Sequence, residues 1–125
     1  MQDQDREFLL SIFLMEAWDT LATLEDGLGR LRDPDVSTAV VEPLLVVSHR
    51  LKGAAGLNGF PELAGMTETL ERILEQAPAL PAGARGAAAD VLTELLGLLK
   101  QMLDGIGATG QEDAEAVAAF RSSHA

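Results

Sequence analysis

Apolar residues recur every three or four positions through four separate stretches of this 125-residue chain, and that spacing constrains the fold more than any other feature. A period near 3.6 is the signature of a helix with one buried face, and it does not suit a strand, whose side chains alternate. The first stripe runs through Leu9, Ile12, Phe13, Ala17, Leu21, Leu24, Leu28 and Leu31, predicting one long helix over about 5–31. It should stop in the segment RDPDVS, where Pro34 lacks a donor and Asp33, Asp35 and Ser37 offer turn and capping oxygens. A second helix is expected over 42–58, with Pro43 tolerated in its first turn and Asn58-Gly59 as its left-handed cap. A third, over 61–76, opens on Pro61 and turns Leu63, Met66, Leu70, Ile73 and Leu74 inward. The segment APALPAGARG, residues 77–86, has no periodicity and is expected to be a loop. The fourth helix, over 87–106, carries Val91, Leu92, Leu95, Leu98, Leu99, Met102 and Ile106. After GATG, a short fifth helix is expected over 112–121, anchored by Val117 and Phe120, with a frayed SSHA tail.

Four amphipathic helices with short connections predict an all-α chain, an antiparallel four-helix bundle with a short fifth C-terminal helix. Leucine and alanine dominate and there is no tyrosine, which favours helix on helix over a sheet. The length suits a single domain spanning 1–125.

Composition removes several function classes. Twenty acidic against nine basic residues give a formal charge of -11, so no nucleic-acid partner is expected. No cysteine is present for a disulfide, a thiolate nucleophile or a zinc site. No apolar run approaches the roughly 20 residues that span a bilayer, and MQDQDREF is polar and acidic, so no membrane insertion and a cytoplasmic location are expected. A metal-carboxylate bundle would need Glu-x-x-His pairs, but Val46 and Arg121 stand three residues before the two histidines.

The second helix holds the stretch that helix formation alone does not explain. In HRLKGAAG, residues 49–56, two glycines occupy helical positions, where each costs on the order of 1 kcal/mol relative to alanine. With His49 as reference at 100° per residue, Leu44, Val47, Leu51, Ala54 and Ala55 fall on the opposite, core-facing side. Leu45, Val46, Lys52, Gly53 and Gly56 share the histidine side, with Arg50 at its margin. The glycines thus clear the surface beside the imidazole, so something bulky can approach it. The alternative is that they permit close helix packing, and that Leu45 and Val46 are core residues. Lys52 and Arg50 add positive charge in an acidic chain, which suits an arriving phosphoryl group, and a neutral imidazole nitrogen carries the lone pair to accept it.

A carboxylate should orient that ring. His49 stands ten residues before Gly59 and Glu71 twelve after, so in an antiparallel hairpin the two lie within roughly 3 Å of the same level. Glu68, one turn earlier, is the other candidate. Trp18 and Phe8 are expected to be packing anchors, and His124 a tail residue without chemistry.

HRLKGAAGLNGF resembles the signature of histidine phosphotransfer domains, in which HxxKG is followed by small residues and a GF turn. FLMEAWDTLATLEDGLGRL, residues 13–31, and MTETLERILE, residues 66–75, resemble the flanking helices of the amino-terminal phosphotransfer domain of CheA-type chemotaxis kinases. The resemblance runs from Phe8 to Gln76 and extends over the fourth helix by pattern. It implies that His49 is phosphorylated on Nε2, that Lys52 sits near the phosphoryl group, that Gly53 keeps the surface open and that Glu71 hydrogen-bonds the ring. It also implies two partners, a histidine kinase catalytic domain and a response-regulator receiver, which supply ATP and Mg²⁺. No cofactor and no ATP cleavage of the chain's own are expected. Docking would use the surface of Leu45, Val46, Arg50 and Gly56. A non-phosphorylated adaptor bundle is the alternative function, and either a stand-alone relay protein or the first domain of a larger kinase fits.

Overall fold

The structure is a computed structural model and describes residues 2–33 and 38–124. All secondary structure among the described residues is helical: α1 (Asp3–Leu28), α2 (Thr38–Leu57), α3 (Pro61–Gln76), α4 (Ala82–Thr109) and α5 (Ala114–Ser123). Short 3-10 turns, Gly29–Arg32 and Ala77–Ala79, continue α1 and α3. Each of the first four helices packs against two others, α1 on α2 and α4, α3 on α2 and α4, which closes an antiparallel four-helix bundle with α5 laid against α3 and α4.

The sequence stripes meet in one core. Leu21, Leu24, Leu63, Leu70, Leu74, Leu92, Leu95, Leu99, Met102, Leu103 and Ile106 are wholly buried. Each contributes roughly 1.5–3 kcal/mol through removal of its apolar surface from water. Phe13 and Phe60 close one end of this core with ring centroids 5.5 Å apart.

Several boundaries differ from the sequence expectation, each for a local reason. Helix α2 begins at Thr38, one turn before 42, so Pro43 lies in the second turn. The carbonyl it leaves without an N–H partner belongs to Ala39, at the mouth of the helix, and burial of Val41 and Leu44 holds the turn in place. Of the residues expected to stop α1, Pro34, Asp35 and Ser37 lie outside the described residues, while Asp33 is extended. Helix α4 begins at Ala82, inside the expected loop: the alanine-rich run ARGAAA has high helix propensity. Arg32 at the end of α1 also clasps that first stretch, donating to the Gly86 carbonyl and pairing with Asp90. At its far end α4 runs through Gly107 to Thr109 and stops at Gly110, whose φ of 76° is the left-handed cap.

Of the expected frayed tail, Ser122, Ser123 and His124 are held in or against a helix, and Ala125 lies outside the described residues. Helix α5 continues through Ser123, and the His124 ring stacks on Phe120 at 4.1 Å with Nε2 2.8 Å from Glu94. Glu112, expected to open α5, instead accepts from the backbone N–H groups of Leu63 and Glu62 at 2.6 and 3.2 Å. It caps the amino terminus of α3. Phe8 is no packing anchor: it is 64% exposed, because α1 projects its first turns beyond the core, whereas Trp18 packs partly buried against it.

Candidate functional site

The α2–α3 hairpin builds the site. Its turn is a Schellman motif: the Phe60 N–H donates to Ala55 O at 2.8 Å and the Gly59 N–H to Gly56 O at 3.2 Å. Gly59 takes the φ of 81° that this requires. Phe60 and Ala55, both buried, supply the apolar contact that accompanies such a turn. The two helices leave it in fixed register.

That register brings Glu71 to His49. Glu71 Oε2 lies 3.6 Å from His49 Nδ1, and Glu71 Oε1 lies 3.2 Å from Lys52 Nζ. The first separation is too long for a closed hydrogen bond; such contacts often tighten only when a site is occupied. Burial is strongly asymmetric, with the histidine side chain 71% exposed and the glutamate side chain 11%. A carboxylate so far out of water needs a counter-charge, and Lys52 provides it from one turn beyond the histidine. Oε1 itself makes no aligned hydrogen bond. With Nδ1 turned toward Glu71, the other ring nitrogen, Nε2, is on the open side.

Of the two carboxylates considered, only Glu71 reaches the ring. Glu68 is exposed, one turn away on α3, and the carboxylate at ion-pair distance from His49 is that of Glu71. The two glycines are not packing devices within the chain: a Cβ built on Gly53 or Gly56 meets nothing within 4 Å. Gly27 shows the contrast, since a Cβ there would press into the Leu44 side chain. Val46 is 51% exposed, Leu45 is half-buried against the core, and Arg50 is exposed beside a groove that Glu16 and Asp19 of α1 also line. Among the described residues no three His, Asp or Glu side chains converge to hold a metal ion.

Ser48, next to the histidine, was missed by the sequence reading. It is fully buried, and its hydroxyl donates to Leu45 O at 3.1 Å. Leu44, Ser48, Leu51 and Ala55 follow the three-four spacing of a core row, so the signal was present but carried by a polar residue. Thr67 on α3 is likewise buried and bonds back to Leu63 O. Both spend their polar atoms on their own helix, which leaves small side chains where α2 and α3 approach.

An exposed imidazole, a largely buried carboxylate that bridges it to a lysine, and bare backbone alongside leave one ring nitrogen open to an arriving group. The Hpt domain sequence model matches residues 9–109, and the chain belongs to that family. It is a histidine phosphotransfer module of two-component signalling. Its curated relatives are chemotaxis proteins CheA, which places it among Hpt domains of the CheA type. The protein of Treponema pallidum is 28% identical over 123 residues, covering 96% of this chain and 15% of the relative. That of Rhizobium meliloti is 32% identical over 71 residues, covering 57% and 9%, and that of Listeria monocytogenes 28% over 68 residues, covering 54% and 11%. The chain thus spans less than a fifth of the length of these relatives. No solved structure gives a significant match.

Proposed function

We propose that His49 is the phosphoryl acceptor of this domain, that a histidine kinase catalytic domain loads it, and that a response-regulator receiver unloads it, all within the cytoplasm. The observation that carries this reading is the pairing of an open imidazole with a buried glutamate at its Nδ1 side. Glu71 favours the tautomer that keeps the proton on Nδ1 and leaves the lone pair on Nε2. That lone pair attacks the γ-phosphorus of ATP held by the kinase domain. The N–P bond forms, the P–O bond to ADP breaks, and the ring becomes a cation whose charge Glu71 offsets. In the second step a receiver aspartate attacks phosphorus, the N–P bond breaks and its electron pair returns to Nε2. ATP and Mg²⁺ belong to the partners. Lys52, freed from Glu71 by a short side-chain rotation, would stabilise the phosphoryl oxygens. Leu45, Val46, Arg50, Gly53 and Gly56 form the surface on which partners settle.

The test is labelling of the chain and its His49→Gln variant by a CheA-type kinase domain with ATP, and separately by phosphoramidate, which transfers its phosphoryl group to imidazole with loss of ammonia. Acid-labile, base-stable label on the wild type and none on the variant is expected from both donors. Equal labelling of the two, or none of either, would refute the assignment and favour an adaptor bundle.

A further inference from the structure

The first turns of α1 and the α2–α3 turn enclose a cleft of about 650 Å³ at one end of the bundle. Its apolar lining comes from Leu9, Leu10, Leu57 and Phe60, and its acidic rim from Asp3 and Glu7, with Arg6 the one cation among its residues. Two of these side chains stay exposed: Leu57 is 91% exposed and Leu9 45%. Leu57 at such exposure gains almost nothing from folding, and Leu9 only about half of what a buried leucine gains. Large apolar groups gathered around a cleft mark a contact site more than isolated ones do.

The cleft continues the surface beside His49. Val46, Gly53 and Leu57 follow one another on α2 at seven and then four residues, along one edge of the helix. Leu57 stands eight residues past His49, about 12 Å along the axis, a distance one partner domain spans.

We infer that this cleft is a docking site for a basic, amphipathic segment of a partner protein, which inserts a large apolar side chain between Leu9, Leu57 and Phe60. Charge selects that occupant. Asp3, Asp5 and Glu7 face a single Arg6 in the opening turns of α1, on a chain of formal charge -11. A basic segment is drawn to such a rim and an anionic membrane is repelled by it. A second copy is disfavoured as well. Antiparallel pairing of two α1 helices that sets Phe8 against Met15 would also set Glu7 against Glu16. That the same partner reaches His49 rests on the phosphotransfer reading; the chemistry of the cleft does not.

The test is an NMR titration of the full, ¹⁵N-labelled chain with a synthetic peptide of leucine and lysine in helical register, and with its leucine–glutamate counterpart. Saturable shifts at the amides of Leu9, Leu10, Leu57 and Phe60 are expected with the lysine peptide, and binding about tenfold weaker or worse with the glutamate one. The double variant Leu9→Ser, Leu57→Ser, both sites exposed and so harmless to folding, should lose roughly tenfold in affinity while its circular dichroism stays unchanged. Unchanged affinity of that variant would overturn the inference, as would shifts that spread over acidic α1 and spare the cleft. Movement of the cleft amides on dilution of the protein alone would identify a second copy as the occupant and overturn it too. The same wild-type chain is offered both phosphoryl donors, so a wild type that binds the peptide yet takes no phosphoryl group refutes the phosphotransfer reading and leaves the cleft assignment standing.

Discussion

Glu71 touches both His49 and Lys52 while standing almost wholly inside the protein, so each of its atoms has a distinguishable task. Replacing it by Gln keeps the shape and removes the charge. Phosphorylation of His49 by a kinase domain should slow about tenfold, equivalent to about 1.4 kcal/mol of lost stabilisation of the ring cation, as single-turnover labelling would read. Glu68→Gln should leave that rate unchanged, since Glu68 is not brought to the ring. Gly53 permits the opposite separation of effects. The space around it is open, so Gly53→Ala should raise thermal stability by about 0.5–1 kcal/mol through helix propensity, while kcat/KM for transfer from a protein donor falls. A Gly53→Ala chain that gains neither stability nor a transfer defect would remove the case for an exposed docking surface. The sequence made His49, Lys52 and Glu71 legible because their spacing around one turn fixes their relative level. Ser48 was harder to read: its place in the row Leu44, Ser48, Leu51, Ala55 marks it for the core, but a hydroxyl argues against burial until its back-bond to Leu45 is seen.

The helices that hold the site are fastened at their ends by residues from elsewhere in the chain. Glu112 comes from the α4–α5 connection to cap α3, with a charge that suits a helix amino terminus. Glu112→Ala should cost about 1 kcal/mol in chemical denaturation and raise amide exchange at Leu63. Gly27→Ala in α1 should be destabilising in spite of better helix propensity. Its new methyl would press on buried Leu44, an overpacking that costs about 1–3 kcal/mol. Both effects are tertiary, and neither could be read from the helix that bears the residue. The same limit explains the misplaced ends of α4. Glycine and proline in APALPAGARG argue for a loop locally, and the contacts of Arg32 with Gly86 and Asp90 add to the propensity of the alanines in holding the first turns of α4.

Across the whole molecule the stripes made the bundle legible, since each long helix had one face to bury and only three others to bury it on. What they left unread is where apolar residues do not go inward. Leu9 matches the stripe of α1 as well as core residues do, yet the core ends short of it and of Phe8. The carboxyl-terminal segment was misread for a related reason: His124 is held by Phe120 and by Glu94 of α4, a partner thirty residues away. Surface turns ordinarily tolerate insertions and deletions, because nothing downstream depends on their length. The turn at Gly59 is different. One residue added or removed there would rotate α3 by about 100° and slide it about 1.5 Å relative to α2, carrying Glu71 off the face that meets His49. An exposed two-residue turn, far from the imidazole in space, therefore behaves under length mutation as part of the reactive centre.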